Sequence, residues 1–261
     1  MRALEATDTG ATTGPPPLVL LHAFPLDGRM WDAQVAALAG GRRVIVADLP
    51  GFGRSPPTEN PAGCTVDAFA GAVAALLAAK GVERAVVAGL SMGGYVAFAL
   101  HRRHPALVAG LVLADTRADA DTPERRANRE RQQAQVLAGG AGALAPAMVS
   151  ALLGPTTLQH RPEVVAAVRT LIEAQPPQGI IGALEALKTR PDATGQLGTI
   201  AVPTLVIGGS EDALSPPEVA TAMHDAIAGS RLAILEGAGH LTNLEVPVAF
   251  NAAVTGFLEG L

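Results

Sequence analysis

The stretch VAGLSMGGYVA, residues 87–97, decides the fold of this 261-residue chain. It joins an apolar run of strand length to a helix-length segment that ends before Pro105. A serine between two glycines at such a junction is typical of a nucleophile elbow, a sharp turn that holds the hydroxyl at the end of a strand. Gly89 and Gly93 leave room for the close approach of strand and helix. The pattern therefore predicts that Ser91 is a nucleophile.

A serine hydroxyl needs a positioned base, and after this elbow an acidic residue and then a histidine are expected along the chain. His240 is the best placed of the six histidines, because it lies in a glycine-rich loop after the last predicted strand. Asp212 follows the preceding strand and is the expected acid, which would hold Nδ1 of the histidine. Glu211, its neighbour, and Asp115, at the end of an earlier strand, remain alternatives.

Two backbone N–H groups are expected to stabilise the oxyanion that forms when a serine attacks a carbonyl group. One belongs to Met92, the residue after the nucleophile. The other is expected in the loop after the first core strand, where Phe24 is the preferred donor and Ala23 the alternative. This chemistry requires no metal ion and no cofactor.

Short apolar runs alternate with helix-length segments along most of the chain. Strand-length runs without polar alternation indicate a parallel sheet that is covered on both faces. The alternation of strands and helices then predicts the α/β class. The predicted strands are Leu18–Leu21, Arg43–Ala47, Ala85–Ala88, Val108–Leu113, Thr204–Ile207 and Leu232–Leu235.

This alternation stops between residues 117 and 199, where helical periodicity continues without a convincing strand. We expect residues 1–116 and 200–261 to form the core and residues 117–199 to form a helical cap, or lid. The predicted cap helices are Pro123–Leu137, Ala143–Leu152, Pro162–Glu173 and Gly179–Thr189.

The composition excludes several classes of function. A net charge of −5 argues against nucleic acid or an anionic membrane surface as the main partner. The single cysteine, Cys64, excludes a disulfide framework and a cysteine-rich zinc site. No signal-peptide pattern and no apolar stretch of the roughly 18 residues of a membrane span is evident. A cytoplasmic protein that acts on a small molecule is expected, and the sequence does not indicate its oligomeric state.

Aromatic residues make up 3% of the chain, and none lies within residues 117–199. A pocket with a partly aromatic floor that includes Tyr95 is therefore expected, with Ala23 beside it and an aliphatic roof that contains Met148. Such a pocket favours an apolar acyl group of small to medium size. The arginines of residues 117–131 alternate with acidic residues. A salt-bridged helix face in solvent is favoured over a site for phosphate or a carrier protein.

Five segments together resemble the α/β-hydrolase superfamily, in particular its esterase, haloperoxidase/perhydrolase and enol-lactonase branch. They are LVLLHAFPLDGRMW (18–31), VIVADLPGFGRS (44–55), VAGLSMGGYVA (87–97), VIGGSED (206–212) and EGAGHLTNLEVP (236–247). The resemblance implies an α/β-hydrolase fold with a helical cap, and hydrolysis of esters or related acyl compounds through an acyl-enzyme. His22-Ala23 departs from the usual His-Gly pair, and the antiparallel hairpin that opens the fold is expected to be reduced.

Carboxylic ester hydrolysis by Ser91, Asp212 and His240 is the favoured interpretation. A lactonase or a cofactor-free perhydrolase or haloperoxidase-type enzyme would use the same residues on a different leaving group or acyl acceptor. A C–C bond hydrolase and a thioesterase are further alternatives, and a ligand receptor without turnover is the remaining class. The related epoxide hydrolases and dehalogenases use an aspartate nucleophile, so Ser91 argues against both.

Overall fold

The computed structural model describes residues 3–10 and 14–261. Within these residues the chain forms a seven-stranded sheet in the order β1-β3-β2-β4-β5-β6-β7. Only β1 is antiparallel to its neighbour, so the predicted α/β class with a mostly parallel sheet is confirmed. The strands are β1 (Ala6–Asp8), β2 (Leu18–Leu21), β3 (Val44–Ala47), β4 (Ala85–Leu90), β5 (Val108–Ala114), β6 (Thr204–Gly209) and β7 (Arg231–Leu235).

The central strands are buried along almost their whole length. Every residue of β2, β3, β4 and β6 is buried. Because successive side chains of a strand point to opposite faces, both faces of the sheet are covered. β4 and β6 each extend two residues beyond their predicted ends, to Leu90 and Gly209. These extensions contain glycines, which end an apolar run in the sequence but fit where a strand passes close to another segment.

The helices follow the expected pattern in the core. The side chain of Thr65 accepts a hydrogen bond from the N–H of Ala68 and caps the second helix. The helices are α1 (Asp32–Leu38), α2 (Val66–Ala79), α3 (Met92–Arg103), α4 (Pro123–Leu152), α5 (Pro155–His160), α6 (Pro162–Glu173), α7 (Pro177–Lys188), α8 (Pro217–Ala226), α9 (Thr242–Glu245) and α10 (Pro247–Leu258).

The order of the strands reverses at β2, which lies between β3 and β4. Leu21 at the end of β2 is in register with Gly89 near the end of β4. The loop that begins at His22 and the turn at Ser91 therefore leave the sheet side by side. Crevices at such a reversal, outside the carboxyl ends of the strands, are where open α/β sheets bind ligands.

Four helices, α4 to α7, connect β5 to β6. The backbone of α4 is not helical at Gly139 and Gly140, where φ is −143° and 68°, so two helices meet there, as predicted. By length and composition α4 could cross a membrane, and 39% of its most apolar 18-residue window is buried inside the protein. Any window of 18 residues in α4 contains the break at Gly139 and Gly140, so neither straight part has that length.

Three short elements have no counterpart among the predicted ones. They are α5, with six residues, α9, with four, and β1, with three. β1 pairs with β3 at the edge of the sheet through Ala6 and Ala47. It is the one antiparallel strand among the described residues, in agreement with the expected reduction of the opening hairpin.

Candidate functional site

Ser91 lies in a sharp turn between β4 and α3. Its backbone has a φ of 52° and a ψ of −111°, a strained conformation for a residue with a side chain. A Cβ atom at Gly89 would overlap the backbone of Gly93, and one at Gly93 would overlap the carbonyl group of Leu21. The N–H of Ser91 donates to the carbonyl oxygen of Ala114 at 2.9 Å. The two glycines and this bond to β5 hold the turn in its strained form.

A continuous series of hydrogen bonds joins three of the predicted site residues. Oγ of Ser91 lies 2.7 Å from Nε2 of His240, and Nδ1 of His240 lies 2.7 Å from Oδ2 of Asp212. His240 and Asp212 are both buried. In the tautomer with the proton on Nδ1, the imidazole donates to the carboxylate and its Nε2 can accept the serine proton.

The carboxylate of Asp212 is held on both sides. Its Oδ1 accepts from the N–H of Leu214 at 2.8 Å and from the N–H of Ser215 at 2.9 Å. His240 is fixed through its own backbone, whose N–H donates to the carbonyl oxygen of Leu152 at 3.0 Å. The imidazole and the carboxylate are therefore positioned before any ligand binds.

The two alternative acids have other partners. Asp115 accepts from Oγ1 of Thr242 at 2.6 Å, and Glu211 accepts from the N–H of Thr156 at 2.9 Å. Burial, followed by the negative charge of Asp212, raises the pKa of Asp115 well above its usual value. The same two effects disfavour the ionised form of Asp115. Neither acid bonds the imidazole, so the geometry favours Asp212.

The backbone N–H groups of Phe24 and Met92, two buried residues near Ser91, have no hydrogen-bond partner within residues 3–10 and 14–261. Buried N–H groups are rarely left unpaired in folded proteins, so these two are available to a ligand. The N–H of Ala23, the alternative donor, is 3.2 Å from Sδ of Met30.

Ala23 is completely buried and does not line the cavity beside Ser91, so this cavity gives no support to its expected contact with substrate. Its carbonyl oxygen accepts from Nδ1 of His22 at 2.9 Å, while Nε2 of His22 accepts from the N–H of Leu49 at 2.9 Å. Burial lowers the pKa of His22, which fits this neutral tautomer. Ala23 and His22 therefore stabilise the loop that follows β2.

A cavity of about 280 Å³ opens beside Ser91 and His240. Phe24 and Tyr95 line it, so its floor is partly aromatic, as the sequence predicts. Met148 lines it too. The remaining lining side chains come from the loops after β5 and β6 and from helices α4 and α7, namely Arg117, Asp121, Glu124, Arg125, Asn128, Arg129, Gln132, Ala151, Leu152, Leu187, Leu214 and Ser215.

The expected aliphatic roof is wrong for the first half of α4. Met148, Ala151 and Leu152, from the second half, are apolar, but the lining residues between 121 and 132 are all polar or charged. The predicted salt bridges of this segment are present, yet its face borders the cavity. The absence of aromatic residues is a property of residues 117–199 as a whole and does not show which side chains line the cavity. The spacing of polar residues along α4 determines which of them face it. That spacing is visible in the sequence and could have identified Arg125 and Arg129.

No group of three or more His, Cys, Asp or Glu side chains that could hold a metal ion occurs in the described part of the chain. Cys64 is buried, and its Sγ is 2.8 Å from Oγ1 of Thr58. It lies outside the lining of the cavity beside Ser91.

Comparisons with known proteins agree with this geometry. A sequence profile of the alpha/beta hydrolase fold matches residues 16–247. A pimeloyl-[acyl-carrier protein] methyl ester esterase from Neisseria meningitidis serogroup B is 32% identical over 251 residues, which cover 92% of each chain. A thermophilic esterase from Thermogutta terrifontis, solved with malate bound, has a TM-score of 0.93 and 40% identity, and the match covers 98% of this chain and 93% of the esterase.

An enol-lactonase from Burkholderia xenovorans LB400 has a TM-score of 0.89 and 31% identity, and the match covers 98% of this chain and 96% of the lactonase. The profile match spans β2 to β7, the elbow and the helices between them, and the relative and the two solved structures match 92% or more of the chain. The chain belongs to the α/β-hydrolase family.

Proposed function

We propose that this chain is a serine hydrolase that cleaves carboxylic esters of small to medium size through an acyl-enzyme intermediate. The observation that carries the proposal is the hydrogen-bonded series from Ser91 through His240 to Asp212 beside a cavity. A nucleophile, a base within 2.7 Å of it and a group that orients the base are the requirements for activating a serine hydroxyl. The names of the relatives, which include two esterases, support the same chemistry.

In the first half of the reaction, Oγ of Ser91 attacks the ester carbonyl carbon and Nε2 of His240 takes the serine proton. The imidazolium is stabilised by Asp212, which accepts its Nδ1 proton in a hydrogen bond without taking it. The tetrahedral intermediate collapses, and His240 gives its proton to the departing alkoxide, so an alcohol leaves. Ser91 then carries the acyl group as an ester.

Water completes the reaction. His240 removes a proton from the water molecule, which attacks the acyl carbon, and the second tetrahedral intermediate releases the carboxylic acid. The proton returns to Oγ of Ser91. In both halves the oxyanion is positioned between the N–H groups of Met92 and Phe24, which have no protein partner in the described residues.

Residues 117–199 act as a cap in this proposal. The cavity lies between Ser91 and His240 on one side and side chains of α4 and α7, such as Met148 and Leu187, on the other. Apolar side chains of this segment hold the acyl chain and exclude water from the acyl-enzyme until the alcohol has left.

Lactone hydrolysis is a second candidate, because the enol-lactonase is 31% identical over nearly the whole chain. A lactone differs from a linear ester in that its leaving alkoxide stays attached to the acyl group. The same residues would act on it. A panel of lactones and linear esters with equal carbon numbers separates the two, since the better substrate class shows the higher kcat/KM.

Labelling with a fluorophosphonate tests the proposal. We expect Ser91 to be modified in the native protein, and Ser91→Ala to abolish both labelling and hydrolysis of p-nitrophenyl acetate while the melting temperature changes little. Ser150→Ala, at an exposed position of α4, is the matched control and should keep both. Folded wild-type protein that is neither labelled nor active would refute an esterase and leave the ligand receptor.

A further inference from the structure

The first half of α4 presents a polar face to the cavity that contains Ser91. Glu124, Arg125, Asn128, Arg129 and Gln132 all line this cavity. Their spacing of one, three, one and three residues places them on one side of a helix. A helix that covers an apolar substrate would have apolar residues at these positions. This side of the cavity therefore suits a polar or charged group.

Arg129 is held in place from behind. Its Nε donates to Oδ2 of Asp121 at 3.2 Å, and Oδ1 of Asp121 accepts from Arg190. The side chain of Asp121 is 0% exposed and that of Arg190 is 3% exposed. The guanidinium of Arg190 also lies 4.3 Å above the ring of Tyr95, another residue that lines the cavity. Arg129 is thus fixed by a buried network that reaches the floor of the cavity.

The two terminal nitrogens of Arg129 have no hydrogen-bond partner among residues 3–10 and 14–261. Only its Nε is bonded. In Arg125 only Nη1 is bonded, to Oδ2 of Asp119 at 2.9 Å. The side chains of Arg129 and Arg125 are 19% and 34% exposed, so both border the cavity and solvent. They have unused donors, and guanidinium donors fit a carboxylate in a two-pronged arrangement.

The side chains that line this side of the cavity carry a net positive charge, although Asp119, which does not line it, pairs with Arg117 and Arg125. Arg117, Arg125 and Arg129 line it together with Asp121 and Glu124. The charge of Asp121 is shared with buried Arg190, and Glu124 is exposed to solvent, which screens its charge. Burying the charges of Asp121 and Arg190 costs desolvation free energy. The network of these two residues holds Arg129, which lines the same cavity as Ser91.

We propose that the natural substrate carries a carboxylate at the end remote from the scissile ester, and that Arg129 and Arg125 bind it. The substrate class is a half-ester of a short dicarboxylic acid. This inference rests on the proposed esterase function and adds the recognition of the far end of the acyl chain. The methylene groups between the two ends would contact the apolar side chains of the same cavity, such as Met148 and Leu152.

The test compares two substrate series with equal chain length. One series consists of monomethyl esters of dicarboxylic acids with four to eight carbons, and the other of methyl esters of the matching monocarboxylic acids, which lack the charge. We expect kcat/KM of the wild-type protein to be at least about 10-fold higher for the charged series, since hydrogen bonds to charged groups contribute roughly a 10- to 100-fold effect.

Arg129→Gln should reduce this ratio of kcat/KM values by about 10- to 100-fold, and Arg125→Gln should reduce it less, because that side chain is more exposed. Arg169→Gln, an exposed arginine of α6 outside the cavity lining, is the matched control and should keep the wild-type ratio. High salt should lower the preference for the charged series in the wild-type protein. Melting temperatures of all variants show whether each one is folded.

Three outcomes would overturn the inference. The first is an unchanged ratio in both Arg129→Gln and Arg125→Gln. The second is an equal loss on both substrate series, which would make these arginines structural. The third is stronger competitive inhibition by an alkyl phosphate than by an alkyl carboxylate of the same length, which would replace the carboxylate by a phosphate.

A binding measurement separates failure of this inference from failure of the proposed function. In Ser91→Ala, calorimetry with monomethyl adipate should give a lower Kd than with methyl hexanoate, and adding Arg129→Gln should remove that difference. This result does not depend on turnover. If neither substrate series is hydrolysed but the difference in Kd is present, the esterase proposal fails and the carboxylate site stands. If both esters bind Ser91→Ala equally, the carboxylate site is refuted.

Discussion

Asp115 is bonded to Thr242 through one carboxyl oxygen, which accepts from Oγ1 at 2.6 Å and from the backbone N–H at 3.2 Å. Thr242 follows His240 by two residues, so Asp115 supports the loop of the histidine while Asp212 bonds the imidazole itself. The second oxygen of Asp115, Oδ1, is buried without a partner in the described part of the chain. Two aspartates at neighbouring strand ends therefore have different roles, one as a positioning group and one as the partner of the base.

The first prediction separates these two roles by activity. Asp212→Asn should lower kcat by about 10⁴-fold, because the amide favours the wrong tautomer of His240 and cannot stabilise the imidazolium. Asp115→Asn is the matched change and should lower kcat by less than about 10-fold, since asparagine resembles a neutral carboxyl group and tolerates the φ of 46° at this position. Hydrolysis of p-nitrophenyl acetate measures both. A larger loss in Asp115→Asn would transfer the role of the acid to Asp115.

The second prediction concerns the pH dependence of stability. The pKa of Asp115 is raised in the folded chain, so the folded state keeps a proton that the unfolded chain loses near its usual pKa of about 3.9. Unfolding therefore releases a proton above that pH, and the free energy of unfolding contributed by this group decreases as the pH rises toward the raised pKa.

Asp115→Asn removes this proton. We expect the variant to gain stability relative to the wild-type protein as the pH rises from about 4 to 7, when urea denaturation is measured at several values. Below the pKa of the unfolded chain both proteins are neutral at this position, so the difference at low pH is the internal reference. A difference that stays constant with pH would mean that Asp115 is ionised in the folded protein.

The third prediction tests the steric basis of the elbow. Gly93→Ala places a Cβ atom against the carbonyl group of Leu21, and we expect it to lower the free energy of unfolding by about 1–3 kcal/mol or more. It should also displace Ser91 and reduce kcat. Gly71→Ala, inside α2 with nothing within 4 Å of the added Cβ, should instead raise the free energy of unfolding by about 0.5–1 kcal/mol. Equal effects at the two positions would contradict the close approach.

The strands and the elbow of the core can be predicted from local sequence patterns, because these patterns determine where they form. The apolar runs of β2 to β6 are long enough to identify strands, and the glycines around Ser91 identify the elbow. β1 and α5 are different, since three and six residues do not complete a recognisable period. Their formation depends on neighbours distant in the chain, such as the pairing of Ala6 with Ala47.

The site residues, like the elements of the fold, are predictable only in part. Ser91 and His240 follow from motif and chain order, but Asp212 and Asp115 both follow strands, and only the folded chain shows which carboxylate lies at Nδ1. The choice between Phe24 and Ala23 likewise depends on Met30, whose sulfur lies near the N–H of Ala23. The polar side of the cavity does not follow from the composition of residues 117–199, because the helical spacing of their charged residues determines which of them share one face.

The fourth prediction concerns the buried ion pair that supports Arg129. Asp121→Asn leaves the guanidinium groups of Arg190 and Arg129 without their carboxylate, and we expect the free energy of unfolding to fall by about 3–5 kcal/mol. Asp119→Asn is the matched control two residues away. Its side chain is 36% exposed where it pairs with Arg117 and Arg125, so solvent screens the interaction and the expected loss is at most about 1 kcal/mol.

Urea denaturation with and without 1 M sodium chloride distinguishes a buried pair from an exposed one. Salt should weaken the exposed pairs of Asp119 and reduce the effect of Asp119→Asn, whereas the effect of Asp121→Asn should persist because the pair of Asp121 and Arg190 is out of contact with solvent. If the two variants lost the same stability, the network behind Arg129 would not be buried in solution. A loss confined to Asp121→Asn would place the charge that orients Arg129 inside the folded core.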